Sequence, residues 1–216
     1  MSDKKVFDYN GKQIDVHWDG RLCIHIAECG NAEGDLFIGG RDPWCIPDTS
    51  NIEEIAEICA RCPSGALTYT DKSTNTQQPV PENSVQVSYN GPLYVEGDLN
   101  IEGIPDDMPG TRFRAALCRC GLSNNKPFCD NSHLQQSFED YAAVGKKGPG
   151  NTSNTGPLNI KPAKDGPLIL SGNCCIKSGS GRVAWRGEKV GLCRCGASKN
   201  KPFCDGSHIA IGFKTE

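Results

Sequence analysis

The sequence predicts an α+β fold rich in β-strands, in which a small N-terminal α+β domain precedes two repeated units packed as an intrachain pseudo-two-fold pair. The main observation is a repeat: residues 91–93 (Gly-Pro-Leu) recur as residues 166–168, and Phe138 recurs as Phe213, without any gap. Neither copy is long enough to bury a core alone, so we expect the two to pack side by side. Ahead of the repeat, strand-like alternation surrounds one helical pattern.

The N-terminal domain begins with a predicted hairpin. Residues 6–18 alternate between apolar and polar side chains on either side of Asn10 and Gly11. Both residues tolerate positive φ, so this pair predicts a type I′ turn between two strands.

A helix and a returning strand are predicted to complete this domain. Ser50 and Glu53 have the spacing of a capping box, and Pro63 and Gly65 mark the end of the helix. The apolar face of the helix is formed by Ile52, Ile55, Ala56 and Cys59. Residues 67–70 then read as a short strand.

Each repeated unit is expected to contain two strands. The first strand covers residues 93–95 in one copy and 168–170 in the other. A second apolar segment, at 112–117 or 189–192, leads directly into the cysteine-rich loop.

The domain boundaries follow from composition. We expect the N-terminal domain at residues 1–71 and the repeated units at 85–144 and 165–216. Segments 72–84 and 145–164 are poor in apolar residues and rich in Pro, Asn, Ser or Gly, so they are predicted linkers.

The composition indicates a soluble protein of a reducing compartment. The chain has 216 residues, a formal net charge of -3 and 37% hydrophobic residues. This charge gives no reason to expect nucleic acid or an anionic membrane as a partner. No apolar run approaches the length of a membrane span, and the first residues do not resemble a signal peptide. We therefore expect a cytoplasmic monomer.

Thirteen cysteines point to metal ligation, because intracellular thiols are kept reduced. Six of them recur with two histidines in the pattern Cys-x-Cys-x8-Cys-x3-His. The candidate ligands are Cys118, Cys120, Cys129 and His133 in one copy and Cys193, Cys195, Cys204 and His208 in the other. Three thiolates and an imidazole suit an iron-sulfur cluster or a tetrahedral zinc ion. Zinc hooks usually place two to four residues between paired cysteines, so the single residue here favours a cluster.

Both copies resemble the CDGSH iron-sulfur (NEET) family, whose motif reads Cys-x-Cys-x2-Ser/Thr-x3-Pro-x-Cys-Asp-Gly-Ser/Ala/Thr-His. The second copy matches throughout, whereas the first has Asn131 where the motif has glycine. Asn enters the left-handed region more readily than most residues, so the turn toward His133 should persist. The resemblance implies one 2Fe-2S cluster per copy. One iron would be bound by the two cysteines of the Cys-x-Cys hook and the other by the third cysteine and the histidine.

The N-terminal domain resembles a divergent single-cluster ferredoxin domain, in which Cys-x-His-x3-Cys is followed by Cys-Pro-Ser-Gly-Ala-Leu. These residues are Cys23, His25, Cys29 and the run that begins at Cys62, while Ile26 stands where a bacterial 4Fe-4S loop has its middle cysteine. The resemblance implies a 3Fe-4S cluster, or a 4Fe-4S cluster whose fourth iron takes His25, another cysteine or solvent. The expected fold is then a ferredoxin-like α+β domain followed by two CDGSH units.

The remaining cysteines have a mainly structural interpretation. Cys59 lies on the apolar face of the predicted helix, and Cys45 lies in an apolar segment, so both are expected to be buried thiols. A disulfide between Cys45 and Cys59 is possible but would be unusual in a reducing compartment. Cys174 and Cys175 have no counterparts in the first copy and are predicted not to be ligands.

Charged residues of the two loops have two interpretations. The basic residues are Arg119, Lys126, Arg194 and Lys201. They either form a solvated rim or offset the negative charge of a cluster and steer a partner. The pairs Asp130 with Ser132 and Asp205 with Ser207 are expected to satisfy local amides in turns.

These ligand sets suggest an iron-sulfur protein with three clusters that acts in electron transfer or in cluster storage and transfer. Its partner would be a redox protein or an apo acceptor of clusters. A neutral imidazole in place of a thiolate should raise the reduction potential and make the cluster acid-sensitive. No nucleophile and base pair is evident, so an independent enzyme is not expected. Two alternatives remain: Cys3His zinc modules acting as a structural or protein-interaction scaffold, and an iron-sulfur subunit of an oxidoreductase complex.

Overall fold

A computed structural model describes residues 6–73, 77–145, 147–150 and 156–215. The N-terminal part forms an antiparallel sheet of three strands in the order β1-β2-β3. These strands are β1 (Val6–Tyr9), β2 (Ile14–Asp19) and β3 (Leu67–Asp71). The predicted hairpin is confirmed, but its turn is not type I′, because neither Asn10 nor Gly11 has positive φ. Instead the Gly11 N–H donates to the Asp15 carboxylate at 3.0 Å, which closes a longer loop.

The predicted helix is confirmed as α1 (Ile52–Arg61). Its cap is one residue later than expected: the Asn51 side chain accepts from the Glu54 N–H at 2.9 Å. Ser50 instead follows a 3-10 turn, Pro47–Thr49. Within the described residues, no helix combines the length and apolarity needed to cross a membrane.

The rest of the chain forms one mixed sheet of seven strands. These are β4 (Ser84–Val87), β5 (Leu93–Glu96), β6 (Leu99–Ile101), β7 (Arg114–Leu117), β8 (Leu158–Pro162), β9 (Leu168–Lys177) and β10 (Val183–Leu192). The order is β6-β8-β9-β4-β5-β7, and β10 pairs with β9. β8 lies within residues 145–164, which were expected to form a linker. Two four-residue helices, α2 (Ser132–Gln135) and α3 (Ser207–Ala210), each contain one of the candidate histidines.

The expected fold class was wrong for the N-terminal domain. A ferredoxin-like α+β fold has two helices in a βαββαβ order, whereas this unit has one ten-residue helix and three sequential strands. Over the described residues the protein is β-rich, with 30% strand and 12% helix.

The repeated units also do not pack side by side as the expected pseudo-two-fold pair. Their strands are interleaved in a single sheet, since β4 pairs in parallel with β9 and β6 pairs in parallel with β8. A short strand with open edges gains backbone hydrogen bonds from such pairing. The copies also differ locally. A 3-10 turn, Pro109–Arg112, stands where the second copy continues β10, because proline lacks the N–H that a strand requires.

The N-terminal unit and the large sheet share one contiguous apolar core, which runs from Val16 through Val85 and Leu117 to Leu170. Arg114 of β7 crosses this junction. Its buried guanidinium donates to the carbonyls of Cys59, Cys62 and Leu67 at 2.8–3.1 Å. The large sheet therefore caps the end of α1 directly beside a candidate ligand, Cys62.

Candidate metal centres

The first ligand loop follows β7 and is closed by backbone hydrogen bonds. The Cys118 N–H donates to the carbonyl of Pro127 at 2.9 Å, and the Cys129 N–H donates to that of Ala116 at 2.8 Å. Inside the loop, the Ser123 hydroxyl donates to the Phe128 carbonyl at 2.6 Å and accepts from the Asn125 N–H at 3.0 Å. These contacts hold the cysteine loop against the end of β7.

The second loop repeats these contacts after β10. The Ser198 hydroxyl donates to the Phe203 carbonyl at 2.7 Å, and the Cys193 N–H donates to the Pro202 carbonyl at 2.7 Å. The structural role of Ser123 and Ser198 was not predicted. The available signal was their recurrence at the same place in both motifs.

The candidate ligands of each loop lie in pairs. In the first loop, the sulfur atoms of Cys118 and Cys120 are 3.7 Å apart, and Cys129 Sγ is 3.5 Å from His133 Nδ1. In the second loop, the corresponding separations are 3.8 Å and 3.5 Å; they join Cys193 to Cys195 and Cys204 to His208. Within the described residues, no group of three or more His, Cys, Asp or Glu side chains surrounds one point.

These separations match the geometry of two donors on one tetrahedral ion. Two sulfur atoms bound at about 2.3 Å to such an ion lie about 3.8 Å apart, and a sulfur and an imidazole nitrogen lie about 3.5 Å apart. Each loop therefore offers one two-sulfur site and one sulfur-nitrogen site, which is the donor set that two neighbouring irons require.

The ligands of the first loop are shifted in different directions: burial raises the pKa of Cys129 to about 11, whereas Cys118 and His133 are shifted toward their ligating forms. Hydrogen bonding with Cys120 lowers the pKa of Cys118 to about 6 and raises the pKa of Cys120, so the pair gives up one proton readily and holds the second. Burial, and then the charge of Arg119, lowers the pKa of His133. The imidazole is thus neutral near neutral pH, which is the form that binds metal.

In the tight turns before the histidines, backbone N–H groups point toward ligand sulfur atoms. Asn131 has φ 69° and Gly206 has φ 87°, which confirms that Asn can replace glycine there. The Asn131 N–H points to Cys129 Sγ at 3.4 Å, and the Gly206 N–H to Cys204 Sγ at 3.5 Å. Such bonds stabilise a thiolate.

The acidic residues beside the ligands have the local role that was expected. Asp130 accepts from the N–H and hydroxyl of Ser132 and from the Asn124 N–H, at 2.6–3.0 Å. Burial opposes its ionisation, but these bonds outweigh burial and lower the pKa of Asp130. Asp205 makes the same contacts with Ser207 and Lys199.

The two arginines of the hooks do not belong to a solvated rim. Arg119 is 1% exposed and donates to the carbonyls of Gly91 and Ser88 and to the Asp140 carboxylate. Its guanidinium also lies over the Phe138 ring, 5.0 Å from the centroid. Arg194 occupies the matching position and donates to the carbonyl of Gly166 at 3.0 Å. Both arginines thus anchor their loops to the sheet. Lys126 and Lys201 donate to the carbonyls of Ser123 and Ser198 within the same loops.

The two hooks lie back to back. Cys120 and Cys195 form an isolated antiparallel backbone bridge. A Cβ atom added to Gly121 would lie 2.8 Å from the Cys195 carbonyl oxygen, and one added to Gly196 would lie 2.5 Å from that of Cys120. Both glycines also have positive φ. The close approach of the two loops therefore requires glycine at both positions.

The N-terminal candidate ligands line one cavity of about 400 Å³. Cys23, His25, Cys29 and Cys62 all face it, together with apolar walls that include Trp18 and Trp44. Burial, followed by the negative charges of Cys23 and Cys62, raises the pKa of Cys29. The structure thus places the four predicted ligands on one cavity although Cys62 is distant in sequence, and three thiols and an imidazole are a donor set that fits a cluster.

The other cysteines lie away from these donor sets. Cys45 and Cys59 are 1% and 0% exposed and do not line the cavity. Burial raises the pKa of Cys45 to about 12 and also raises that of Cys59. Cys174 and Cys175 are buried in β9. None of these thiols is in a disulfide, so the possible Cys45 to Cys59 bridge is absent.

Comparison with known proteins supports two kinds of iron-sulfur unit. A family model described as a divergent 4Fe-4S mono-cluster matches residues 9–72, and one described as an iron-binding zinc finger of CDGSH type matches residues 90–134 and 165–209. Over 64 residues, or 30% of this chain, the sequence is 38% identical to the uncharacterized protein YjdI of Escherichia coli strain K12, of which 84% is covered. YjdI of Escherichia coli O157:H7 has the same identity and coverage.

No solved structure matches the chain. The family matches nevertheless coincide with the three donor sets described above. The chain therefore belongs to the CDGSH iron-sulfur family, as a tandem-motif member with an N-terminal divergent single-cluster 4Fe-4S domain.

Proposed function

We propose that this iron-sulfur protein binds a 2Fe-2S cluster at each CDGSH loop and transfers single electrons. The observation that carries the proposal is the pairing of donors in each loop. Cys118 and Cys120 would bind one iron, with Cys129 and His133 on the other. In the second loop, Cys193 and Cys195 would bind one iron, with Cys204 and His208 on the other. A single zinc ion would instead need all four donors of a loop around one point.

We place a third cluster, of 4Fe-4S type, in the N-terminal cavity. Three thiolates are available from Cys23, Cys29 and Cys62, and His25 is the remaining candidate donor on the cavity wall. If His25 holds the fourth iron, His25→Ala should convert the centre to a 3Fe-4S form. Electron paramagnetic resonance of the oxidised protein distinguishes the two types, and an unchanged 4Fe-4S signal would show that His25 is not a ligand.

When bound, the clusters supply reversible one-electron chemistry. The chain's contribution is a neutral histidine in place of one thiolate at each CDGSH site, which makes the site less negative and raises its reduction potential. A carrier of this kind needs a partner, and we propose a redox protein in that role. The matched families are consistent with a carrier or redox protein.

Cluster delivery to an apo acceptor is a second candidate function, which one asymmetry favours. Cys129 and His133 are buried, whereas Cys204 and His208 are half-buried. Both loops contain a neutral histidine, which is lost more easily than a thiolate. Because the histidine of the second loop is the more exposed, the second loop is the better site for releasing a cluster.

The test begins with protein purified without air, in which iron, acid-labile sulfide and zinc are measured. We expect coloured protein with sulfide in proportion to iron, and the double variant H133C/H208C should bleach less readily in acid. Colourless protein with one zinc per loop would refute the proposal. Unchanged acid sensitivity in H133C/H208C would refute the histidine ligation.

A further inference from the structure

We propose that Asn131 couples the N-terminal ligand set to the first CDGSH ligand set, so that single electrons pass between two clusters inside the chain. This inference rests on the proposed function, because both donor sets must hold clusters for electrons to pass. It concerns the residue at which the first copy departs from the CDGSH motif, where Asn131 stands opposite Gly206.

Asn131 makes a hydrogen bond toward each of the two donor sets. Its side-chain amide donates to the carbonyl of Ile24 at 2.7 Å, and Ile24 lies between Cys23 and His25 in the sequence. Its backbone N–H points to Cys129 Sγ at 3.4 Å. A single asparagine therefore connects the peptide beside one candidate ligand with the sulfur atom of another.

Apolar side chains pack beside this contact. Ile24 is 5% exposed and packs against Cys129 and Ala116. A second interloop bond lies nearby, in which the Asn125 side chain donates to the Arg21 carbonyl at 2.7 Å. Two side chains thus bond the first CDGSH loop to the N-terminal loop. Of these two residues, only Asn131 also donates its backbone N–H to a ligand sulfur atom.

The second copy shows what the position looks like without this partner. A Cβ atom added to Gly206 would meet no atom within 4 Å, so the position faces open space. Asn131 has a similar left-handed backbone, which is less favourable for Asn than for Gly. The bond to Ile24 offsets this strain and gives the asparagine a role that glycine cannot fill.

The electron step requires a one-electron donor, such as a reduced flavin, which reduces the N-terminal centre. With both clusters bound, that centre would then lose one electron and the first CDGSH centre would gain one, with no bond formed or broken and no proton moved. Asn131 acts as a positioning residue in this step.

The experiment uses the full chain loaded with clusters, after iron and sulfide analysis has established that they are present. A light pulse reduces a soluble flavin, and absorbance follows the redistribution of the electron between centres. We expect a fast phase in the parent protein that is lost in Asn131→Gly, which retains the left-handed turn and the N–H on Cys129. Asn131→Asp keeps the shape of the side chain but lacks the amide N–H donor, so it should lose the fast phase as well.

Two matched variants serve as controls. Gly206→Asn makes the reverse change in the second loop and should retain the fast phase. Asn125→Ala removes the other interloop bond and should also retain most of it. A fast phase that survives Asn131→Gly would overturn the proposal, and so would its equal loss in Asn125→Ala, since docking in general would then be responsible.

A second measurement needs no bound cluster. In cluster-free protein, Asn131→Gly should increase the rate at which iodoacetamide alkylates Cys129 and leave the rate at Cys204 unchanged. Equal rates at Cys129 in the parent and the variant would overturn the link between the loops. Absence of sulfide from the loaded parent would instead refute the proposed function, so the two failures are distinguishable.

Discussion

At the scale of single residues, the cysteines differ in the groups that surround the sulfur atom rather than in burial, since Cys118 and Cys45 are both 1% exposed. The candidate ligands lie in loops, where sulfur receives backbone N–H groups, as Cys129 does from Asn131. Cys45 and Cys59 lie deep in the core of the N-terminal unit. At Cys129 these N–H groups partly offset burial, which still raises the pKa to about 11, whereas burial raises the pKa of Cys45 to about 12.

The buried thiols predict a loss of stability at alkaline pH in the cluster-free protein. Burial raises the pKa of Cys45 to about 12 and also raises that of Cys59, whereas an unfolded thiol ionises near pH 8.5. Below about pH 8.5, ionisation of these thiols does not lower the free energy of unfolding. Above that pH, each buried thiol lowers the free energy of unfolding by up to about 1.4 kcal/mol per pH unit.

This pH dependence is measured by urea unfolding between pH 8 and 10. We expect the free energy of unfolding to decline less steeply with pH in Cys45→Ala/Cys59→Ala than in the parent. Cys23→Ala, which removes a half-buried thiol, serves as the control and should retain the parent slope. Identical slopes in all three proteins would contradict the assignment of these thiols as buried and neutral.

At the scale of elements, the centres depend on contacts made by parts of the chain that contribute no ligand. Arg114 of β7 holds the end of α1, where Cys62 lies. Gly121 and Gly196 permit the backs of the two hooks to touch. Each contact joins segments that are far apart in sequence.

Arg114→Met should destabilise the protein and weaken the N-terminal centre selectively. The substitution leaves three buried carbonyls without their donor, and the loss of unfolding free energy should be about 3 kcal/mol. Urea denaturation measures this loss, and iron analysis should show fewer irons at the N-terminal site. Lys189→Met, at the exposed matching position of the second copy, should change neither quantity. A fully stable Arg114→Met protein would contradict the role of this residue.

Gly196→Ala should disrupt the contact between the hooks. The new methyl group would lie 2.5 Å from the Cys120 carbonyl oxygen at a residue with φ 79°. We expect a destabilisation above about 2 kcal/mol from strain and overlap together. Gly103→Ala is the control, since Gly103 has φ 82° but no atom within 4 Å of the added methyl. Equal effects of the two substitutions on thermal unfolding would show that the contact between the two hooks does not require glycine at position 196.

At the scale of the whole molecule, the two CDGSH loops are alike in sequence but not in surroundings. The N-terminal unit covers the first loop through Asn125 and Asn131. At the second loop, Cys204 and His208 are instead half-buried. Sites with the same ligands should therefore differ in how readily protons reach them.

This asymmetry predicts two phases of cluster loss in acid. The second loop should bleach first because His208 is more accessible than His133. Accordingly, His208→Cys should remove the fast phase and His133→Cys the slow one, as followed by visible absorbance after a drop in pH. A single phase in the parent, or the reverse assignment in the two variants, would show that the cover does not protect the first site.

The sequence by itself determined the chemistry of the protein. The recurring Cys-x-Cys-x8-Cys-x3-His pattern identified eight candidate ligands, because ligand chemistry depends on residue type and local spacing. Short-range hydrogen bonding likewise allowed the first hairpin, helix α1 and strand β3 to be predicted. The cap at Asn51 and the turn at Asn10 were missed, because neighbouring polar side chains compete for the same backbone groups.

Tertiary structure alone decided how these parts are joined. The interleaving of β4 with β9 and of β6 with β8 overturned the expected side-by-side packing of the two units. Sequence periodicity reveals which face of a strand is apolar but not which edge it pairs with. The burial of Arg119 and the bond from Asn131 to Ile24 were hidden for the same reason. Both depend on groups brought close by folding, whose distance along the chain carries no local signal.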